Sequence, residues 1–103
     1  MNENLRNVID VDRIIHEPSR LVIVAILYTV ESTDFLYLLK ETGLTKGNLS
    51  SHLSRLEEAG YINIEKTFVG KVTRTICSLA KRGRDAFEEY RLKLEAVINC
   101  KPT

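Results

Sequence analysis

The chain has 103 residues, of which 44% are hydrophobic and 28% charged, and its formal net charge is +1. This is the length and composition of one soluble globular domain, so we expect residues 1–103 to form a single domain. Cys77 and Cys100 are far apart and no Cys/His cluster accompanies them, which argues against a disulfide scaffold, a zinc site or another cofactor. The N-terminus is polar and acidic, and the strongest apolar run, 21–30, is too short to cross a bilayer, so we expect a cytoplasmic protein.

The first part of the chain predicts a short N-terminal element and then a helix. Apolar residues at positions 9, 11, 14 and 15 indicate a short helix or an arm over 9–15. Pro18 suits the first turn of a helix that runs to about Val30. This helix is apolar nearly all round, so we expect it to be buried on more than one side, against terminal elements or a partner chain.

A second helix is predicted over 34–42. Ser32, Thr33 and Asp34 offer capping oxygens before it, and Gly43 suits the left-handed conformation past its last turn. Its inner stripe consists of Phe35, Leu38 and Leu39.

A third helix is predicted over 45–59. Thr45 caps its start and Gly60 closes it. Its buried stripe consists of Leu49, Leu53 and Leu56.

The periodicity changes after Gly60, where a β-hairpin and a last helix are predicted. A strand begins at Tyr61, a turn follows at 68–71, and a second strand covers 72–79. Neither face of the second strand is cleanly apolar, so its orientation stays open. A two-stranded hairpin must lie against helices to be stable. A final helix is predicted over about 80–99.

The order helix, short turn, helix, hairpin, helix predicts a winged helix-turn-helix, a mainly α fold with a β-hairpin wing. The turn at 42–44 has the length that sets two helices at a steep angle. The second helix of such a pair, here 45–59, can enter the major groove of DNA.

Charge and side-chain chemistry favour DNA as the partner. Residues 43–82 carry seven basic and three acidic side chains, a net +4, whereas the remainder carries −3. Asparagine can contact adenine edges, and lysine or arginine can contact guanine or phosphate. Glycine removes bulk where the helix approaches the duplex. The predicted DNA-contact residues are Thr45, Lys46, Gly47, Asn48, Ser50, Ser51, His52 and Arg55 on the helix and Lys66, Lys71 and Arg74 in the wing over 66–74.

Three segments resemble the MarR and ArsR winged-helix regulators, and in particular the small MarR-like proteins with little beyond this domain. TKGNLSSHLSRLEEAGYI resembles their recognition helix, with an L-x-x-L-x-x-x-G frame at Leu53, Leu56 and Gly60. IIHEPSRLVIVAIL is similar to their opening helix, and ICSLAKRGRDAFEEY to their strand-to-last-helix junction.

This resemblance implies a homodimeric transcription regulator that binds palindromic operators and can sense an effector of unknown identity. By position, it implies base contacts from Lys46, Gly47, Asn48 and Ser51. Backbone contacts are implied for Ser50, His52 and Arg55 and wing contacts for Lys71 and Arg74. The chain departs from the family at Ala80, where a threonine is usual, so capping of the last helix falls to Ser78 or to nothing. It also lacks the cysteine pair of ArsR metal sensors, so metal sensing is not expected.

The last helix carries apolar residues at spacings of three, four and three, the pattern of a coiled-coil seam. The same residues could instead pack on the first helix of their own chain, and the spacing does not separate these alternatives. We expect a homodimer that uses the N- and C-terminal helices. The predicted interface residues are Leu21, Phe87, Tyr90, Leu94, Val97 and Ile98.

Two other function classes are less consistent with the sequence. An enzyme is not expected, because no nucleophile–base pair, metal-ligand cluster or phosphate-binding glycine loop is apparent. A protein–protein adaptor is the stronger alternative, since winged helices also serve as interaction modules. An adaptor is expected to expose an apolar or acidic patch on the recognition helix, whereas this helix is polar and cationic.

Overall fold

The computed structural model describes residues 3–103, which form five α-helices, one 3₁₀ turn and three strands. The elements in chain order are α1 (Glu3–Arg6), the 3₁₀ turn (Asn7–Asp10), α2 (Pro18–Val30), β1 (Ser32–Asp34), α3 (Phe35–Thr42), α4 (Lys46–Glu58), β2 (Ile62–Val69), β3 (Val72–Leu79) and α5 (Lys81–Ile98). This order confirms the predicted winged helix-turn-helix. Within residues 3–103, no helix is both long and apolar enough to span a bilayer.

The core forms around α2, as the apolar character of that helix predicted. Ile23, Val24 and Leu27 are fully buried. The leucine stripe of α4 is buried against them, together with Leu38 of α3. Helix α4 is therefore held by one face, and its other face is left to solvent.

Local capping explains why the helices begin and end where they do. Glu17 accepts hydrogen bonds from the backbone N–H groups of Ser19 and Arg20 and so caps α2. Asp34 caps α3 by accepting from the N–H of Tyr37 at 2.8 Å. Gly43 has φ 69°, the left-handed conformation predicted for it.

The sheet has three strands rather than the two predicted. Its order is β1-β3-β2 and both pairs are antiparallel. Residues 32–34 were predicted only as capping residues, but Thr33 pairs with Cys77 and Asp34 with Ile76. The two roles are compatible because an N-cap residue has extended backbone, and Asp34 has φ −94° and ψ 167°.

The hairpin turn is tighter than predicted. Phe68 and Val69 are strand residues that pair with Thr73 and Val72, so the turn consists of Gly70 and Lys71 alone. Gly70 has φ 65°. A positive φ at the first central residue of a two-residue turn suits glycine and matches the twist of the flanking strands.

The faces of the hairpin, left open by the sequence, are now assigned. Ile62 pairs with Leu79 and Ile64 with Cys77, and these side chains pack against the helices. Cross-strand partners point to the same face, and the face alternates along each strand. The helix-facing side therefore continues toward the turn through Lys66 and Phe68.

Helix α5 packs on its own chain through residues that were predicted to meet a partner. Phe87 is 7% exposed and Tyr90 3%, so both belong to the core of this protomer. The Phe87 ring lies 5.0 Å from that of Tyr28, and the Tyr90 hydroxyl lies 3.0 Å from Nδ1 of His16. Their assignment to a dimer seam is therefore corrected.

The start of α5 has no side-chain cap, so neither Ser78 nor any other residue replaces the usual threonine. Of the two alternatives for 9–15, the structure has an arm and not a helix: beyond Asp10 the segment is not helical. It instead leaves the 3₁₀ turn and passes through turns that bury Val11 and Ile15.

Candidate nucleic-acid interface

Helix α4 presents a polar and cationic face to solvent. Burial of Leu49, Leu53 and Leu56 fixes its rotation about its own axis. Ten of the eleven predicted DNA-contact residues are exposed, and the eleventh, His52, is half-buried. The residues predicted from sequence are thus accessible to solvent, wholly or in part, on α4 and in the wing.

The N-terminus of α4 is organised by one hydroxyl. The side chain of Thr45 accepts a hydrogen bond from the N–H of Asn48 at 3.1 Å. The preceding first-turn N–H groups have no partner within a helix, and they carry the positive end of the helix dipole. Lys46 lies in this first turn, so its ammonium and the helix terminus add to the same positive potential.

Gly47 also lies in the first turn and is open on its outer side. A β-carbon placed there would meet nothing within 4 Å, so the fold does not require glycine at this position. The residue leaves the backbone accessible where α4 is most exposed.

His52 contacts the start of α2, not the hairpin. A guanidinium N–H of Arg20 lies 3.1 Å from Nδ1 of His52. Because a guanidinium can only donate, Nδ1 is the acceptor and the neutral ring carries its hydrogen on Nε2. The contact fixes the ring orientation in the middle of the recognition helix.

Glu17 and Arg20 contact the candidate interface, although the sequence pattern did not single them out. Nε of Arg20 donates to the carbonyl of Ile14 at 2.6 Å, and Oε2 of Glu17 lies 3.6 Å from Nδ1 of His52. Partial burial opposes ionisation of Glu17, but the backbone N–H groups of Arg20 and Ser19, with the Arg20 guanidinium nearby, lower its pKa. The spacing Glu17-x-x-Arg20 around Pro18 could have indicated a capped helix start, but not its contact with residue 52.

The three wing cations differ in their surroundings. Arg74 lies 3.8 Å from the Asp34 carboxylate, on the side of the hairpin that faces away from the core. Within residues 3–103, no ion pair involves Lys66 or Lys71. Lys66 and Lys71 therefore have their full charge available for an anionic partner, whereas that of Arg74 is partly offset.

Negative charge lies away from the start of α4. Glu57 and Glu58 are exposed in its last turn, about ten residues along the helix from Lys46. Of the charges on α4 itself, an approaching phosphate backbone thus meets Lys46 and the helix N–H groups at one end and the two carboxylates at the other.

The remaining predicted dimer residues lie at α2 and the C-terminal half of α5. Leu21 and Leu94 are half-buried, whereas Val97 and Ile98 are exposed. An open groove of about 570 Å³ lies beside them, lined by Tyr28, Leu92, Leu94 and Ile98 among others. The exposed apolar surface of α5 therefore keeps the predicted Val97 and Ile98 and adds Leu92.

Comparison with known proteins agrees with the winged-helix architecture described above. The sequence profile of the winged helix DNA-binding domain matches residues 19–98. An uncharacterised protein of Methanocaldococcus jannaschii is 36% identical over 91 residues, which cover 85% of this chain and 99% of that protein. The structure of a transcriptional regulator homologue from Pyrococcus horikoshii OT3 superposes with a TM-score of 0.84 at 28% identity, over 95% of this chain and 96% of that one.

A more distant structure shares the fold alone. NadR in complex with 4-hydroxyphenylacetate gives a TM-score of 0.71 at 21% identity. The match covers 91% of this chain and 65% of NadR.

Proposed function

Since this chain belongs to the family of winged helix DNA-binding domains, we propose that it is a MarR/ArsR-like regulator that binds double-stranded DNA sequence-specifically to control transcription. The observation that carries this proposal is the exposed face of α4. It combines an open N-terminus, Lys46, Asn48 and Ser51 with a buried leucine stripe that holds the helix rigidly. A polar, cationic helix face held in this way suits the major groove.

We assign two kinds of contact to α4, by the positions that the family resemblance implies. Lys46, Gly47, Asn48 and Ser51 lie toward its N-terminal half and contact base edges. Ser50, His52 and Arg55, with Thr45 at the cap, contact the sugar–phosphate backbone and set the register. His52 is suited to this role because Arg20 occupies Nδ1, which leaves the Nε2 hydrogen to donate to a phosphate oxygen.

The wing supplies the second set of backbone contacts. Lys66 and Lys71 lie on phosphates or along the minor groove beside the major-groove site. Arg74 contributes less than either lysine, because the Asp34 carboxylate lies 3.8 Å away.

The regulator works as a homodimer in this proposal, with a C-terminal dimerisation helix over about 80–99. Exposed apolar side chains at Leu92, Val97 and Ile98, next to Leu94 and Leu21, give the surface that a second copy would cover. Two-fold symmetry would then place two copies of α4 about 34 Å apart, one DNA turn, on a palindromic operator. An effector bound between the dimer helices and the DNA-binding elements stays a hypothesis from family resemblance, tested by titrating small aromatic acids against the preformed DNA complex.

The test is fluorescence anisotropy of a labelled duplex from the region upstream of the protein's own coding sequence. We expect binding that weakens steeply with salt and exceeds binding to a scrambled duplex by about a thousandfold. Equal, weak binding to both duplexes would contradict sequence specificity. No binding to either at low salt would contradict DNA binding and favour a protein–protein adaptor.

Two pairs of variants separate specificity from general affinity. Asn48→Ala is expected to relax base preference, whereas Asn63→Ala, at another exposed asparagine, on β2, leaves it unchanged. Lys71→Ala is expected to weaken all duplexes alike and to reduce the salt slope by about one, whereas Lys101→Ala in the C-terminal tail changes neither.

A further inference from the structure

The tip of the wing is apolar although it extends into solvent. Phe68 is 71% exposed, Val72 67% and Val69 57%. The molecule measures 60 × 25 × 21 Å, far from spherical for its length, and the turn-proximal half of the hairpin lies outside the core. One exposed aromatic ring beside two exposed valines forms an apolar patch, and such a patch indicates an interaction surface.

The hairpin itself accounts for two of the three residues. Val69 pairs with Val72 directly across the Gly70–Lys71 turn, and a β-branched cross-strand pair stabilises a hairpin end. Phe68 pairs with Thr73 and points to the opposite face, so it does not join the valine pair. Its ring contributes no burial to the core.

The direction of Phe68 links it to the recognition surface. It lies on the same face as Ile62 and Ile64, which pack against the helices, and as Lys66, which is exposed. Helix α4 packs against β2 at the base of this face. From the core to the tip of β2, this face therefore carries two packed isoleucines, then a cation and then an exposed aromatic ring.

We propose that Phe68 is an apolar wedge that enters the DNA minor groove and partly unstacks a base step. Its neighbours favour a nucleic acid over a protein partner, because Lys66 and Lys71 flank the ring with cations that carry no ion pair within residues 3–103. Phosphates line both edges of the minor groove, and inserted apolar side chains unstack and kink the duplex. This inference rests on the proposed function and adds to it a contact and a DNA deformation.

A wedge of this kind makes the wing a source of sequence preference without hydrogen bonds to bases. Pyrimidine–purine steps unstack most easily, so a flexible step under the wing should bind better than a stiff A-tract. The preference would act at base pairs that α4 does not touch.

The direct test uses a single reporter, since the chain has no tryptophan. Phe68→Trp places one at the tip, and Ile9→Trp places one in the 3₁₀ turn at a similar exposure, 66% against 71%. On titration with the upstream duplex, we expect the emission of Phe68→Trp to be strongly quenched by stacking, and that of Ile9→Trp to change little.

A second pair of variants tests the deformation. Phe68→Ala is expected to weaken binding about tenfold, the effect of one lost stacking contact, and to abolish bending measured by energy transfer between the duplex ends. Phe68→Leu keeps an apolar side chain and is expected to retain most of the bend.

The outcomes distinguish this inference from the proposed function. Binding by wild-type protein with unquenched Phe68→Trp emission, or with an unchanged bend in Phe68→Ala, overturns the wedge and leaves the DNA-binding regulator standing. Emission of Phe68→Trp that shifts with protein concentration before DNA is added assigns the tip to a protein contact and overturns the wedge. If the wild-type protein binds no duplex, both the wedge and the proposed DNA-binding function are contradicted.

Discussion

Replacement of Gly83 by alanine should destabilise the protein, because α5 begins against the backbone of another element. Gly83 is buried in the first turn of α5. A β-carbon there would collide with the carbonyl oxygen of Tyr61 and lie 2.9 Å from both the carbonyl carbon of Tyr61 and Cδ1 of Leu79. The carbonyl cannot retreat freely, because it accepts the N–H of Ala80 at 2.9 Å.

The magnitude follows from two opposing contributions. Forcing a methyl group into a packed site costs about 1–3 kcal/mol, and the upper part of that range applies here because the obstacle is backbone. Alanine in a helix recovers about 1 kcal/mol relative to glycine. The net loss in the free energy of unfolding is therefore about 2 kcal/mol, which lowers Tm by roughly 8–16 °C in a domain of this size.

Urea unfolding followed by circular dichroism measures this loss, at fixed protein concentration since a dimer's stability depends on it. Gly47→Ala is the matched control. Its β-carbon would meet nothing within 4 Å, so it should gain up to about 1 kcal/mol while weakening DNA binding through added bulk. A Gly83→Ala protein as stable as wild type would refute the close approach of α5 to Tyr61.

Three further predictions concern capping and pH. Thr45→Ala removes the acceptor for the N–H of Asn48. It should lower the free energy of urea unfolding by about 1 kcal/mol and weaken DNA binding. Unchanged stability would contradict the cap. The pKa of Glu17 is lower in the folded protein than its ordinary value of 4.5. The ionised carboxylate therefore stabilises the fold above pH 4.5, and this stabilisation is lost as the pH falls through the folded-state pKa. Glu17→Gln should remove that acid dependence from a profile of Tm against pH. Burial and the hydrogen bond to Asp12 raise the pKa of Tyr61 from 10.0 to about 12. The protonated phenol therefore stabilises the fold below pH 10, and this stabilisation is lost as the pH rises toward 12. If the Tm of Tyr61→Phe falls with alkaline pH as steeply as that of the wild type, another group causes the dependence.

Helix boundaries were predictable because they depend on local chemistry. Pro18 at a first turn, Gly43 past a last turn and Thr45 at a cap each act on backbone within three or four residues. The leucine stripe of α4 was predictable for the same reason, since a spacing of three or four residues identifies one face of a helix.

Features that depend on distant residues were not predictable in this way. Strand β1 is three residues long, and only its pairing with β3, more than forty positions away in the sequence, makes it a strand. The core positions of Phe87 and Tyr90 have the spacing of a dimer seam, and only the contacts with Tyr28 and His16 distinguish the two.

In the candidate interface, too, local features were predictable from the sequence and long-range contacts were not. The polar face of α4 was visible from its periodicity, whereas the contact of Arg20 with His52 joins residues 32 positions apart. The role of Phe68 was not predictable, because the turn predicted at 68–71 counted Phe68 as a turn residue and not as part of the alternating pattern of β2. Once the turn is limited to Gly70 and Lys71, the register assigns Phe68 to the helix-facing side.

Amide chemical-shift mapping tests the central claim, that the exposed face of α4 and the wing contact DNA. At 11.8 kDa the labelled chain suits two-dimensional nitrogen–proton spectra during titration with the upstream duplex. We predict that the largest shifts fall in 45–55 and 66–74, with small shifts over 92–99. Shifts concentrated on α5, or the absence of shifts in α4 at saturating duplex, would contradict the assignment of α4 as the recognition helix.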